Sequence, residues 1–295
     1  MKDKTIPLGK MKIKNNIKVF KCPICESSME IIEYNSLRCK KNHCFDLSKN
    51  GYINFLLHNV KTEYNRSMLE SRNIICKSGF FTPLIKKISE IITLQQIKGS
   101  KKINILDVGC GEGSHLSQII KKLSNENISY EGIGIDISKD GIHIASREYK
   151  ECIWCVGDLT KNPFRDYSFD IILDVLSPSN YAEFNRILKK NGLLIKVAPG
   201  SHYLRELRDT FYHQTEKETY SNERVINHFK KNYQLLGTHS LEYKAPINKT
   251  NLEHLISMTP LSWKVSQERI RQVLHSNIQE ISVEFTILLG QKLND

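Results

Sequence analysis

The sequence predicts an α/β protein. Its larger part is a doubly wound, Rossmann-like sheet, and a small separate module precedes it. Three observations carry this. Residues 103–115, Ile-Asn-Ile-Leu-Asp-Val-Gly-Cys-Gly-Glu-Gly-Ser-His, are a β-branched apolar run stopped by Gly109, Gly111 and Gly113. Such a run reads as a buried parallel strand entering a tight turn, where backbone approaches a ligand and the next helix offers free N–H groups. A strand–helix–strand rhythm continues from there to about residue 200, the pattern of a parallel sheet with crossover helices. Ahead of it, Cys22-Pro23-Ile24-Cys25 and Cys39-Lys40-Lys41-Asn42-His43-Cys44 form two paired knuckles.

Composition bounds the rest. A chain of 295 residues with 40% hydrophobic content has room for one large or two unequal domains. No apolar run of about 18 residues is present, so no membrane partner is expected. The Lys- and Asn-rich start lacks the apolar centre of a secretion signal, and a cytoplasmic protein is expected. In that compartment eight cysteines call for an explanation other than disulfides. Net charge is +11, and the first 62 residues hold 12 Lys+Arg against 5 Asp+Glu. This excess reads either as a solvated basic tail or as attraction to a polyanion.

Taken in order, residues 1–19 show no hydrophobic period and are expected to be a basic, flexible extension. Residues 20–58 hold the knuckles, spaced C-x2-C, thirteen residues, then C-x3-H. Two thiolates from one knuckle, with a thiolate and an imidazole from the other, can close a tetrahedron around one Zn²⁺. Residues 29–34 and 36–38 read as two short strands between them, a zinc-ribbon layout. So small a piece buries little surface, which a structural metal offsets. His43 is preferred to Cys44 as fourth ligand. Residues 59–100 read as a linker with helices at 68–77 and 84–94, a polar stretch at 58–66 and a short basic link at 99–102.

Residues 101–295 form the sheet domain. Its strands are expected at 103–108, 130–135, 152–156, 171–176, 193–197, 233–243 and 282–289. Helices are expected at 114–123, 222–232, 252–258 and 263–275. The glycine spacing is G-x-G-x-G with Asp107 just ahead of it, a form similar to the first motif of S-adenosylmethionine (SAM) methyltransferases rather than to a dinucleotide loop. Asp136 follows Gly109 by 27 residues at the end of the second strand, placed to accept ribose hydroxyls, with a helix N-cap as the plainer reading. Asp158 follows the third strand, placed to accept the adenine amino group, with a helix cap as the plainer reading of an isolated acid there.

Several patches agree on a family. The knuckles run into His43-Cys44-Phe45-Asp46-Leu47-Ser48-Lys49-Asn50-Gly51-Tyr52; Gly79-Phe80-Phe81-Thr82-Pro83-Leu84 precedes the sheet; residues 106–113 are the glycine loop; and Met258-Thr259-Pro260-Leu261-Ser262-Trp263 lies near the end. The combination resembles the RlmA family of 23S rRNA (guanine-N1)-methyltransferases. That resemblance implies a class I SAM-methyltransferase sheet, SAM and one structural Zn²⁺ as cofactors, and 23S rRNA as partner, and it is compatible with a homodimer. It implies zinc on Cys22, Cys25, Cys39 and His43. Cofactor contacts are implied at Phe81, around Gly111 and Glu112, and after the fifth strand. There the family's histidine place holds Tyr203, with His202 one residue early.

Guanine N1 carries a proton, so a base would help; Asp174, Glu183 and His202 are the candidates near the sheet's edge, and the catalytic residue is left unassigned. Trp263, Tyr181 or Phe80 could stack on a looped-out guanine, core packing being the plainer reading of Trp263. Two other classes stay open on sequence: a small-molecule SAM methyltransferase stabilised by the ribbon, and a non-catalytic SAM-responsive RNA-binding protein.

Overall fold

The computed structural model describes residues 6–58, 60, 62–95, 102–124, 128–215 and 218–293. In chain order the elements are α1 (Leu8–Asn15), β1 (Met29–Ile32), β2 (Ser36–Cys39), β3 (Cys44–Asp46), β4 (Ile53–Asn54), α2 (Arg66–Lys77), α3 (Thr82–Leu94), β5 (Lys102–Val108), α4 (Ser114–Leu123), β6 (Ser129–Asp136), α5 (Lys139–Glu148) and β7 (Ile153–Val156). They continue as β8 (Phe169–Val175), α6 (Tyr181–Ile187), β9 (Leu188–Pro199), α7 (Arg205–Phe211), α8 (Glu223–Asn232), β10 (Tyr233–Pro246), α9 (Lys249–Met258), α10 (Gln267–His275) and β11 (Glu280–Lys292). The basic link at 99–102 and the first five residues of the extension lie, but for Lys102, outside the described residues.

Eight strands form one sheet in the order β10-β11-β9-β8-β5-β6-β7-β4. Pairing is parallel from β4 through β9, and β11 runs antiparallel between β9 and β10. Seven of these strands match the expected set. The central ones are apolar on both faces because helices cover both; β8, Phe-Asp-Ile-Ile-Leu-Asp-Val, is buried at every position. One core joins α3, α4, α5, α7 and α9 to Ile103, Ile105, Ile171 and Ile195. The other joins α6 and α8 to Leu106, Val108, Ile172 and Leu194. Strand β9 begins earlier than expected. Its register with β8 jumps from Phe169↔Leu188 to Ile171↔Leu193, so the Asn191-Gly192 turn is carried as a bulge inside a longer strand. The helix expected at 263–275 starts only at Gln267, where Ser266 Oγ accepts from the Arg269 amide.

The N-terminal module belongs to the second core. Residues 8–15, expected in a flexible extension, are helix α1, with Ile13 wholly buried. Lys12 Nζ meets Glu131 Oε1 at 2.8 Å, and Asn16 Nδ2 donates to Glu131 Oε2 at 3.1 Å. The period was illegible because only one apolar side of a short, Lys-rich helix is used. The ribbon, β1-β2-β3, is antiparallel. It leads into β4, which extends the large sheet by pairing Ile53 with Cys155 and Asn54 with Val156. Phe20 bridges to Phe164, the Lys21 amide donates to Pro163 O and the Arg165 amide to Val19 O. Phe20 lies 5.6–5.7 Å from Phe55 and Phe164, ring centre to ring centre. Helix α1 packs on β7, and the N-terminal module shares one core with Ile133, Ile135 and Ile153, filling the place a crossover helix takes elsewhere. Among the described residues no helix is long and apolar enough to cross a membrane. Truncating Phe20 to Ala is expected to cost about 3–5 kcal/mol, read as a lowered denaturation midpoint at fixed zinc, because the hole falls where ribbon and sheet meet.

Candidate metal centre and cofactor site

The ribbon brings Cys22, Cys25, Cys39 and His43 together, with all four donor atoms within 4.8 Å of one another. His43 Nδ1 lies 3.4 Å from Cys22 Sγ and 3.5 Å from Cys39 Sγ, and Cys25 Sγ lies 3.7 Å from Cys39 Sγ. A zinc tetrahedron with ordinary bond lengths has sulfurs about 3.8 Å apart and sulfur–nitrogen edges of about 3.5–3.6 Å. The donor set fits that ion. Cys44 begins β3 and faces solvent, outside the cluster. Burial pushes the Cys22 thiol up to about 11, whereas hydrogen bonds from the Ser27 hydroxyl and backbone pull Cys25 down to about 6. Binding therefore has to displace a proton from Cys22.

At the sheet's other functional edge, β5 ends in the glycine loop. Gly109, Gly111 and Gly113 have φ of +67°, +57° and +85°. At Gly113 a Cβ would also lie 2.6 Å from Trp154 and 2.7 Å from Ala145, so the position excludes side chains twice over. Gly113 precedes α4, whose first amides point toward the loop. Asp136 is tied to the loop, not to a helix. The Gly111 amide donates to its Oδ2 and the Ser138 amide to its Oδ1, both at 2.7 Å. The N-cap of α5 is Ser138, which accepts from the Gly141 amide. Each Asp136 oxygen thus keeps a lone pair for a ligand.

The Asp107 carboxylate is nearly fully buried, and among the described residues no hydrogen-bond donor reaches it. Burial, reinforced by Asp136, Asp174 and Glu112 nearby, holds it well above the usual carboxylate range. An acid so placed suits an incoming cationic group. Glu112 is also buried, but its carboxylate takes the Ser114 hydroxyl at 2.6 Å and faces Arg72 Nε at 3.6 Å. Its side chain braces the start of α4. Asp158 is half-buried, with Oδ1 accepting from the Thr160 amide at 2.8 Å, a turn role that leaves its other oxygen free of partners among the described residues.

Phe81 has no exposed surface; its ring meets His115 edge-on at 4.9 Å and carries the Arg72 guanidinium at 5.9 Å. Tyr203 and His202 separate after β9. The His202 imidazole, half exposed, turns to Glu284 at 3.2 Å, while Tyr203 packs on Phe285 at 5.1 Å and lies within the field of Arg72. Arg72 is the residue that sequence reasoning missed. It stands in the linker helix α2, far from any motif, and the only sequence hint was a charge on an otherwise buried face.

Two cavities open at the strand ends. One, about 580 Å³, lies between Asn54, Tyr64 and Asn65 on one wall and Ile137, Ser138 and Val156 on the other. His58, Val60, Thr62, Tyr64 and Asn65 of the polar stretch thus line it. The other, about 400 Å³, is lined by Thr160, Pro178, Ser179, Asn180 and Tyr181. Ser177, next in sequence to Pro178, lies against the loop: its Cβ would be 2.7 Å from a Cβ on Gly109 and its hydroxyl donates to Val108 O. Of the three base candidates, Asp174 is fully buried and held by Lys196 (3.0 Å), Ser177 and Ser179; Glu183 is held by Arg186; His202 by Glu284. Trp263, expected in the core, is 39% exposed and meets Tyr64 edge-on at 5.3 Å.

Both halves of this arrangement match known families: the methyltransferase domain over residues 99–276 and the RlmA N-terminal zinc ribbon over residues 20–62. A Bacillus subtilis relative named "Putative 23S rRNA (guanine-N(1)-)-methyltransferase YxjB" is 40% identical over 96% of this chain and 100% of its own. This chain belongs to the RlmA methyltransferase family. A Streptomyces fradiae relative, "23S rRNA (guanine(748)-N(1))-methyltransferase", is 27% identical over 93% of this chain and 98% of its own. As an RlmA-family methyltransferase the protein uses SAM and a zinc ion.

Two outcomes follow for these sites. Purified protein is expected to carry one zinc per chain; Cys39→Ser should lose it and melt at markedly lower temperature, as metal analysis and thermal denaturation will report. Asp136→Asn exchanges an acceptor oxygen for a donor group, so titration with S-adenosylhomocysteine should find binding weakened about 10- to 100-fold.

Proposed function

We propose that this protein transfers the methyl group of SAM to N1 of an unpaired guanine in a 23S rRNA hairpin loop, with the zinc ribbon helping to hold the RNA. The observation that carries this is the fixed pairing of a closed Cys3His ribbon with a methyltransferase sheet. A small-molecule enzyme has no use for a second module fastened to the sheet by backbone pairing of residues 19–21 with 163–165. Arg38, Lys40 and Lys41 are exposed on the ribbon, as phosphate contacts require.

SAM bound here supplies a methyl group already activated by its sulfonium. The chain then has to position and desolvate. In this reading Asp136 takes the ribose hydroxyls, Asp158 the adenine edge and Asp107 the cofactor's ammonium. Phe81 contributes by packing under the loop, and Tyr203, rather than His202, faces the cofactor after β9. The guanine enters the cavity at Pro178–Asn180, where Ser179 joins it to the buried Asp174–Lys196 pair. N1 lies on the pairing edge, so the base must be out of a duplex. Trp263 and Tyr64 offer exposed ring surface for a neighbouring base. With ribosomal RNA as substrate, the enzyme would work in the cytoplasm.

The test is incubation with labelled SAM and unmodified 23S rRNA, followed by mapping of the label. Label at N1 of one loop guanine is expected; label on small molecules with none on RNA would refute the reading, as would RNA binding without transfer. In the same assay Trp263→Ala should lower kcat/KM for RNA about 5- to 100-fold while S-adenosylhomocysteine affinity stays unchanged.

A further inference from the structure

We infer that Arg72, delivered by the linker helix α2, is the residue that binds the carboxylate of the cofactor's methionine part. The inference deepens the SAM reading of the glycine loop and rests on it.

The site as described is acidic. Asp107, Glu112, Asp136 and Asp174 are all at or near the ends of β5, β6 and β8, and three of them are nearly fully buried. These acids suit the sulfonium and ammonium of SAM. They repel its carboxylate, which needs a cation. Lys196 is committed to Asp174 at 3.0 Å and to Ser177 O at 2.5 Å. Arg72 is not committed in this way. Its Nη2 donates to His115 Nδ1 at 3.4 Å and its Nε stands 3.6 Å from Glu112, beyond hydrogen-bond reach. Among the described residues nothing else accepts from its five N–H donors.

Its position is equally specific. Arg72 Nε lies 3.8 Å from where a Cβ on Gly111 would stand, so the guanidinium faces the glycine loop directly. Its central carbon lies 5.9 Å from the centre of the Phe81 ring. Burial and the positive charge of Arg72 keep the His115 imidazole well below its usual range, so it is neutral and offers Nδ1 as an acceptor. The side chain is about a quarter exposed. A planar guanidinium held by His115 and Phe81 beside the glycine loop, with donors to spare, fits a carboxylate through two parallel bonds. The donor comes from outside the sheet domain, on the helix that follows the cavity wall at Tyr64 and Asn65.

The test compares two ligands on the full, zinc-loaded chain: S-adenosylhomocysteine and its decarboxylated analogue. Wild type is expected to prefer the carboxylate form about 10- to 100-fold. Arg72→Gln should weaken S-adenosylhomocysteine by a similar factor and bind both ligands alike. Arg72→Lys, which keeps the charge and loses the fork, should retain part of the preference. Asp136→Asn serves as a control, weakening both ligands and leaving their ratio intact. A purely structural role for Arg72 would also weaken both alike, so an unchanged ratio in Arg72→Gln overturns the proposal. Should that variant not fold, a wild type indifferent to the carboxylate, or Arg72→Lys with the full wild-type ratio, overturns it instead. Failure of wild type to bind S-adenosylhomocysteine at all would strike the underlying cofactor reading, a result distinguishable from these.

Discussion

The backbone pairing of residues 19–21 with 163–165 is the contact on which the rest depends. It fastens the zinc ribbon to the sheet, with Phe20 sealed against Phe164 and Phe55. From there the chain has one course. It adds β4 to the open edge beside β7, turns along the cavity wall and enters α2 at Asn65, whose side chain caps that helix. The direction of α2 then puts Arg72 against the glycine loop. The zinc ribbon and the electrostatics of the glycine loop are linked through backbone hydrogen bonds and packed rings.

The buried charges obey a common logic. Taking an ion out of water is costly unless partners replace the water. Asp174 has Lys196 and two hydroxyls, and Asp136 has two amides. Asp107 has no such donor among the described residues, and Arg72 has few acceptors. Incomplete satisfaction of that kind, side by side at the end of one strand, is what a site for a zwitterionic ligand looks like before the ligand arrives. Stability is given up where binding gains it.

Much of this was legible in the sequence because it is local. The glycine loop, the apolar strands and the two knuckles announce themselves within a few residues, and their periods are those that the backbone imposes. What was illegible is long-range. Helix α1 looked like a loose basic tail, since Ile13 and Asn16 find their partners only in the folded sheet. Trp263 looked like core, since nothing in its neighbourhood says that Tyr64 and solvent share its ring. Asp136 carries both lessons. Its place at the end of a strand was readable, but its bond to the Gly111 amide, which closes the loop onto the neighbouring strand, was not. Arg72 carried only the faint signal of a charge among buried positions, because its meaning comes from a helix crossing that one sequence cannot specify.

The same fastening orders events during synthesis. The ribbon's own bonds are short in sequence: Cys22 to His43 spans 21 residues. Its anchor on the sheet is distant, with Arg165 reaching back 145 residues to Phe20. A chain emerging from the ribosome can therefore close its zinc knuckles early and must then wait, apolar face uncovered, until the third strand and the turn after it have been made. Metal capture so becomes a timing device: it holds the ribbon in one shape through the interval in which it has nothing to pack against.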